Sequence, residues 1–153
     1  MASVEPFQIA WPDVKEPPAA IKKWVDDFYH LADNQETNAG ERLAQLFTPD
    51  ATMHGLAGPL TGREAIAASR PKAWITQKER RHEPRQVYTT KADYSDILVF
   101  GQLKSWFKNG EIVDVEFIAG ITFSGDTSKL PLCSLYRVWG DSAPWMKAMS
   151  KKE

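Results

Sequence analysis

Residues 97–123, ILVFGQLKSWFKNGEIVDVEFIAGITF, read as two long strands joined at Asn109-Gly110. Both central positions of a type I′ turn need positive φ, which Asn-Gly tolerates, so the dipeptide predicts a two-residue hairpin. In that register Lys108 faces Glu111. Counting back pairs Trp106 with Val113, Lys104 with Val115, Gln102 with Phe117, Phe100 with Ala119 and Leu98 with Ile121. Val113, Val115, Phe117, Ala119, Ile121 and Phe123 make a wholly apolar face, while Asp114 and Glu116 point the other way. The apolar face is the one expected to meet helices. Paired residues share a face, so the same count carries Phe100, Gln102, Lys104 and Trp106 to the covered side. A bulge in either strand reverses that assignment.

Outward from the hairpin, residues 82–90 and 132–140 read as further strands, and alternation places Gln86 and Tyr88 on the face of His82. Upstream, Ile21, Trp24, Val25, Phe28 and Ala32 recur at helical spacing across residues 19–33. A second helix over 41–47 stops before Thr48-Pro49-Asp50, a turn signal. Residues 51–54 form a short strand, followed by a Gly/Pro loop at 55–59. Thr61-Gly62-Arg63-Glu64 matches a capping box that starts a third helix, which breaks near Pro71. Pro6, Pro12, Pro17 and Pro18 make residues 1–18 an arm lying over the domain, with Phe7, Ile9 and Trp11 able to dock. The expected organisation is this arm, a single domain over 19–144 and a tail over 145–153. Three helices followed by an antiparallel meander argue for an α+β class. The expected shape is a cone, with helices covering one face of a curved antiparallel sheet and leaving a pocket for a small apolar molecule.

With 153 residues the chain can bury a core without disulfides or metal. Nineteen Lys and Arg stand against twenty Asp and Glu, so no broad electrostatic pull toward nucleic acid or an anionic membrane is expected. Cys133 is the single cysteine, which excludes an internal disulfide and fits a reducing, cytosolic setting. The N-terminus lacks the pattern of a signal peptide, and no apolar run reaches membrane-spanning length. Six Trp, seven Phe and four Tyr are many rings for a short chain. Rings fill cores, and they also line pockets for apolar ligands.

Three segments carry a family resemblance: Phe47-Thr48-Pro49-Asp50-Ala51-Thr52, Leu60-Thr61-Gly62-Arg63-Glu64-Ala65-Ile66, and Tyr136-Arg137-Val138-Trp139-Gly140-Asp141. In their order they resemble the SnoaL-like branch of the nuclear transport factor 2 fold superfamily, over residues 19–144. The superfamily includes polyketide cyclases, ketosteroid isomerase, scytalone dehydratase, limonene epoxide hydrolase and fungal meroterpenoid isomerases, together with non-catalytic members. The resemblance implies a cofactor-free protein, a small-molecule ligand and a homodimer formed through the outer sheet face. The isomerase's catalytic carboxylates fall at Gly55 and Ala119, and its helix tyrosine near Phe28. The epoxide hydrolase's charged triad falls at Gln102, Lys104 and Val138. Neither set is present. The dehydratase histidine corresponds to His82, in Arg80-Arg81-His82-Glu83.

His82 is therefore the candidate acid or base, because imidazole titrates near neutral pH and moves one proton unaided. Tyr29, at the border of the apolar helix stripe, and Lys104 complete the candidate catalytic set. Gln102, His54, Tyr88, Trp106, Phe100 and Phe117 are the candidate substrate contacts. Each has a plainer role open to it: packing for the rings and Tyr29, a surface or structural place for His82, snorkelling for Lys104, an outward turn for His54. His54 and His82 lack a close-spaced third ligand, so no metal site is expected. The run Lys78 to His82 reads as a solvated helix end. The functions these residues point to are a cofactor-independent isomerase, cyclase or dehydratase of secondary metabolism, or a binding module with the same pocket.

Overall fold

The computed structural model describes residues 4–55 and 57–151. Met1 to Ser3 of the arm, Leu56 of the Gly/Pro loop and the last two residues of the tail lie outside the described residues. The chain order is α1 (Ala19–Ala32), α2 (Ala39–Ala44), β1 (Phe47–Gly55), β2 (Gly58–Thr61), α3 (Arg63–Ser69), a 3₁₀ turn (Pro71–Ile75), β3 (Gln77–Thr89), β4 (Asp96–Phe107), β5 (Ile112–Ser124), β6 (Leu132–Trp139) and α4 (Ala143–Ser150). The strands form one open sheet in the order β2-β1-β6-β5-β4-β3. The α+β class with helices on one face of a curved sheet stands. The sheet is not wholly antiparallel, because β1 pairs with β6 in parallel.

α1 forms as its apolar spacing demands, burying Ile21, Trp24, Val25, Phe28, Tyr29 and Ala32. Full burial of a large apolar side chain is worth about 1.5–3 kcal/mol, so this one face anchors the helix layer. Trp24 lies at the centre, stacked on Phe28 at 5.0 Å and edge-on to Phe123 at 5.0 Å. On the sheet side, Val113, Phe117, Ala119, Ile121 and Phe123 are buried, as alternation along β5 predicts.

The partner strand is placed differently. Trp106 pairs with Ile112, Lys104 with Asp114, Gln102 with Glu116 and Phe100 with Ile118, one residue away from the two-residue-loop register. The turn has three residues. Phe107 donates its N–H to the Glu111 carbonyl at 2.8 Å, Gly110 has φ +88°, and Asn109 is not in the positive-φ region. This is a type I turn closed by a glycine bulge. Since a one-residue slip turns every side chain over, Ile97, Val99, Ser105 and Phe107 face the helices. Phe100, Gln102, Lys104 and Trp106 point outward, contrary to the sequence count. Val99, Leu103 and Phe107, which alternation in the two-residue-loop register would have put on the outer face, are inner ones.

A second bulge reshapes β3. Pro84 pairs with Gly101 and Gln86 with Phe100, leaving Arg85 extra. Pro84 has no N–H for the ladder, which is why a strand proline gathers at such a break. Arg80, His82 and Pro84 face inward, and beyond the bulge Val87 takes over. Gln86 and Tyr88 are thereby turned away from His82. The unpaired Arg85 carbonyl accepts the Ala10 N–H at 2.8 Å, and Ala10 in turn accepts from Val87, so the arm docks along this edge.

Three local expectations are revised. The second helix starts and ends earlier than residues 41–47, and Phe47 opens β1 through the supposed turn. Thr61 caps no helix, because it ends β2 opposite Thr52 and the Gly62 N–H goes to the Ala51 carbonyl. Lys78 to His82 is strand, not helix end. α4 spans the boundary drawn between the domain over 19–144 and the tail over 145–153, and its Trp145 packs edge-on against Phe107 at 5.4 Å.

Candidate functional site: a histidine–aspartate pair beneath two tyrosines

Asp33 is the first residue past α1, with its carboxylate turned toward β3. One oxygen accepts from His82 Nδ1 at 2.6 Å and the other from the His82 backbone N–H at 2.6 Å. A carboxylate only accepts, so Nδ1 carries the ring proton. Arg80, two residues earlier on the same strand face, places Nε 3.5 Å from the same carboxylate, and its Nη2 donates to the Ala32 carbonyl. The side chains of Asp33, His82 and Arg80 are 17%, 14% and 11% exposed. A carboxylate at the negative end of a helix dipole is unfavourable by itself, and Arg80 and the imidazole offset it.

Tyr29 lies one turn before Asp33, on the same helix face. Its ring centre is 5.3 Å from that of His82 and 5.6 Å from that of Phe117, and the Phe117 ring lies 5.5 Å from the imidazole. The imidazole is thus walled by one ring from the helix and one from the sheet. Phe117 reaches this place because position 101 has no side chain. A Cβ on Gly101 would stand 2.7 Å from the Phe117 ring and 2.6 Å from the Glu83 carbonyl. The Tyr29 and Tyr136 hydroxyls meet at 3.3 Å.

Burial sets the charge state of the group. It pushes the His82 imidazole below its ordinary value, overcoming the pull of Asp33, and Arg80 and Arg70 push in the same direction. At neutral pH His82 is uncharged, Nδ1–H is committed to Asp33, and Nε2 keeps its lone pair. Among the described residues Nε2 has no hydrogen-bond partner, and it is not sealed from accessible space. Burial raises Tyr136 to about 12 and holds Tyr29 well above the ordinary phenol value, so both stay protonated.

Of the sequence candidates, the fold brings together His82, Tyr29 and Phe117. It separates the rest. Gln102 bonds Asp114 on the outer face at 2.7 Å, and Lys104 lies over the Trp106 ring there at 5.1 Å. Tyr88 and Phe100 pack edge to face, 5.1 Å apart, on that same side. His54 is exposed on β1 beside Arg137. Asp33, Arg80, Arg70 and Tyr136 escaped the sequence reading, although an aspartate closing a helix was a visible anomaly. Among the described residues no cluster of three or more metal-ligating side chains occurs.

In the aromatic interior Phe28, Phe47 and Tyr136 pack tilted or edge to face, 4.9–6.4 Å apart. A groove of about 880 Å³ runs along α1 past Lys23, Asp26 and His30 to Asp33. Another concavity, of about 380 Å³, lies on the sheet between Arg85, Phe100, Gln102, Glu116 and Trp139.

No family model matches the chain, and no curated protein matches it by sequence. Solved structures match it in shape. A nuclear transport factor 2-like protein of unknown function from Burkholderia pseudomallei K96243 has a TM-score of 0.70 at 15% identity, over 87% of this chain and 99% of that one. A candidate SnoaL-like polyketide cyclase from Jannaschia sp. CCS1 gives 0.70 at 14% identity, over 93% and 99%. A type 2 hexachlorocyclohexane dehydrochlorinase gives 0.62 at 15% identity, over 80% and 84%. At these identities the likeness establishes the fold.

Proposed function

We propose that this chain, which has the nuclear transport factor 2-like fold in its SnoaL-like form, is an enzyme that moves a proton on a small, oxygen-bearing apolar molecule. The observation that carries the reading is the 2.6 Å bond from His82 Nδ1 to Asp33 with Nε2 left unpartnered. Nε2 takes a proton from a carbon beside a carbonyl: the C–H electrons move onto the carbonyl oxygen, and the imidazolium that forms is held by Asp33. Returning that proton to another carbon completes an isomerisation. Attack by the carbanion closes a ring, and expulsion of a leaving group eliminates. None of these outcomes asks for a cofactor.

Of the two hydroxyls at 3.3 Å, only one can donate to the other, so the pair has an O–H to spare. Tyr136, less buried than Tyr29, is placed to give that hydrogen bond to the substrate oxygen. Tyr29 positions both the imidazole and its hydroxyl partner. The free, buried Cys133 thiol supports a reducing compartment. No described helix is long and apolar enough to cross a membrane. The outer sheet face, with Tyr88, Leu98, Phe100 and Trp139 exposed, supports a homodimer.

The test is proton exchange in heavy water, followed by NMR on a panel of enolisable ketones, keto acids and keto esters. Exchange by the native protein that falls by about 10²–10⁴-fold in His82→Ala, the usual worth of a general base, supports the reading. Recovery of every bound compound unexchanged leaves a binding module. Exchange that persists in His82→Ala removes His82 from its role.

A further inference from the structure

The site holds more positive charge than its own fold uses. Arg70 follows α3 and sits four residues before Trp74, whose ring carries the Arg80 guanidinium at 5.0 Å. Arg70 is close enough to Arg80 for the two charges to repel. Contact between α2 and α3 fixes its stem, since a Cβ on Gly40 would stand 3.3 Å from the Arg70 Cβ. Its Nε donates to Ser69 Oγ at 3.0 Å, and among the described residues no carboxylate lies within ion-pairing distance of it. Arg80 is 11% exposed, and its Nε is a buried donor without a hydrogen-bond partner. The one carboxylate of the group, Asp33, is taken up by Arg80 and His82, and Arg70 is left without one. Burial and Arg80 together lower Arg70 to about 10, and both arginines act on His82 and Tyr136.

We infer that the substrate is a small apolar acid, whose carboxylate is received by the Arg70 guanidinium with Arg80 beside it while His82 deprotonates an adjacent carbon. This inference rests on the proton-transfer reading above and names the class of molecule it acts on. A guanidinium presents parallel donors that match a carboxylate, a fit that neither a neutral carbonyl nor a lone alkoxide offers. The charge balance favours the same ligand. Bound as a monoanion, the acid neutralises the surplus cation of the resting site. When its C–H electrons pass to the carbonyl oxygen it becomes a dianion, and the two guanidinium groups and the new imidazolium are already in place to meet that charge.

The experiment compares phenylpyruvate with its methyl ester, which differ in the carboxylate and share the enolisable CH₂. Binding is measured by calorimetry, and exchange at the CH₂ by NMR in heavy water, on the native protein, Arg70→Gln, Arg70→Lys and His82→Ala. The native protein is expected to bind the acid at least tenfold more tightly than the ester. Arg70→Gln should bring that ratio near one, with Arg70→Lys between, because it keeps the charge and loses the fork. His82→Ala should keep the ratio and lose the exchange. Equal binding of acid and ester by the native protein, or no binding of the acid at millimolar concentration, overturns the inference without needing any variant to fold. A preserved acid preference with exchange that ignores His82 refutes the proton-transfer reading and leaves the anion site standing.

Discussion

Replacing Asp33 with asparagine changes one atom type in the most connected side chain of the site. The carboxylate accepts two hydrogen bonds of 2.6 Å and lies 3.5 Å from Arg80 Nε, with 17% of its surface exposed. Removing one partner of a buried ion pair costs about 3–5 kcal/mol, and the partial exposure together with the bond that an amide oxygen retains argues for the low end, about 3 kcal/mol. For a domain of this size each kcal/mol shifts Tm by about 2–4 °C, so Asp33→Asn is expected to melt about 6–12 °C lower. The variant also rewrites the imidazole. The amide oxygen goes to the His82 backbone N–H, which cannot be anything but a donor. The amide NH₂ then faces Nδ1, which must become an acceptor, and the ring proton moves to Nε2. Circular dichroism reads the melting shift, and ¹⁵N chemical shifts of the labelled imidazole read the tautomer. A variant that melts within about 1 °C of the native protein, with the proton still on Nδ1, refutes the account of the pair.

Gly101→Ala drives a Cβ to 2.6 Å from the Glu83 carbonyl, a backbone atom held in the sheet, so a loss of about 2 kcal/mol in urea unfolding is expected; an unchanged midpoint contradicts it. Because folding lowers the His82 pKa below its unfolded value near 6.5, the unfolded chain binds the extra proton first. The contribution of neutral His82 is complete above pH 6.5 and is lost as pH falls through the folded pKa. Urea titrations at pH 7.5 and 5.0 should show a smaller acid penalty in His82→Gln than in the native protein, and equal penalties would count against a buried neutral imidazole. On the outer face, Leu98→Asp with Trp139→Asp should convert a dimer to a folded monomer in light scattering, whereas a native monomer at micromolar concentration disproves the dimer.

The sequence made α1 and β5 legible because their apolar periods run unbroken, and unbroken periods leave one way to bury a face. The hairpin was misread for a physical reason. Gly110 takes a positive φ in either turn, and what distinguishes the turns is the conformation of Asn109, whose side chain donates to the Ala148 and Lys151 carbonyls at the end of α4. No local signal announces a partner 39 residues away. That single slip carried Gln102, Lys104, Phe100 and Trp106 to the wrong side together. The break in β3 was readable, since Pro84 in an otherwise regular strand marks a bulge, and it would have removed Tyr88 from the neighbourhood of His82. Asp33 too left a trace, as an acid at the end of a helix where acids are disfavoured. Tyr136 left none: it meets Tyr29 across 107 residues, and only the sheet order β1-β6-β5 brings them together.

The bonds from Asp33 to His82, with Arg80 holding the Ala32 carbonyl, also fasten the end of α1 to the inner face of β3. The latch of the molecule and its proposed base are thus the same few atoms. Any excursion that lifts the helix from the sheet breaks the Asp33–His82 bonds on which the proposed base depends. On the proposed reading, a loosened molecule would be inert rather than indiscriminate.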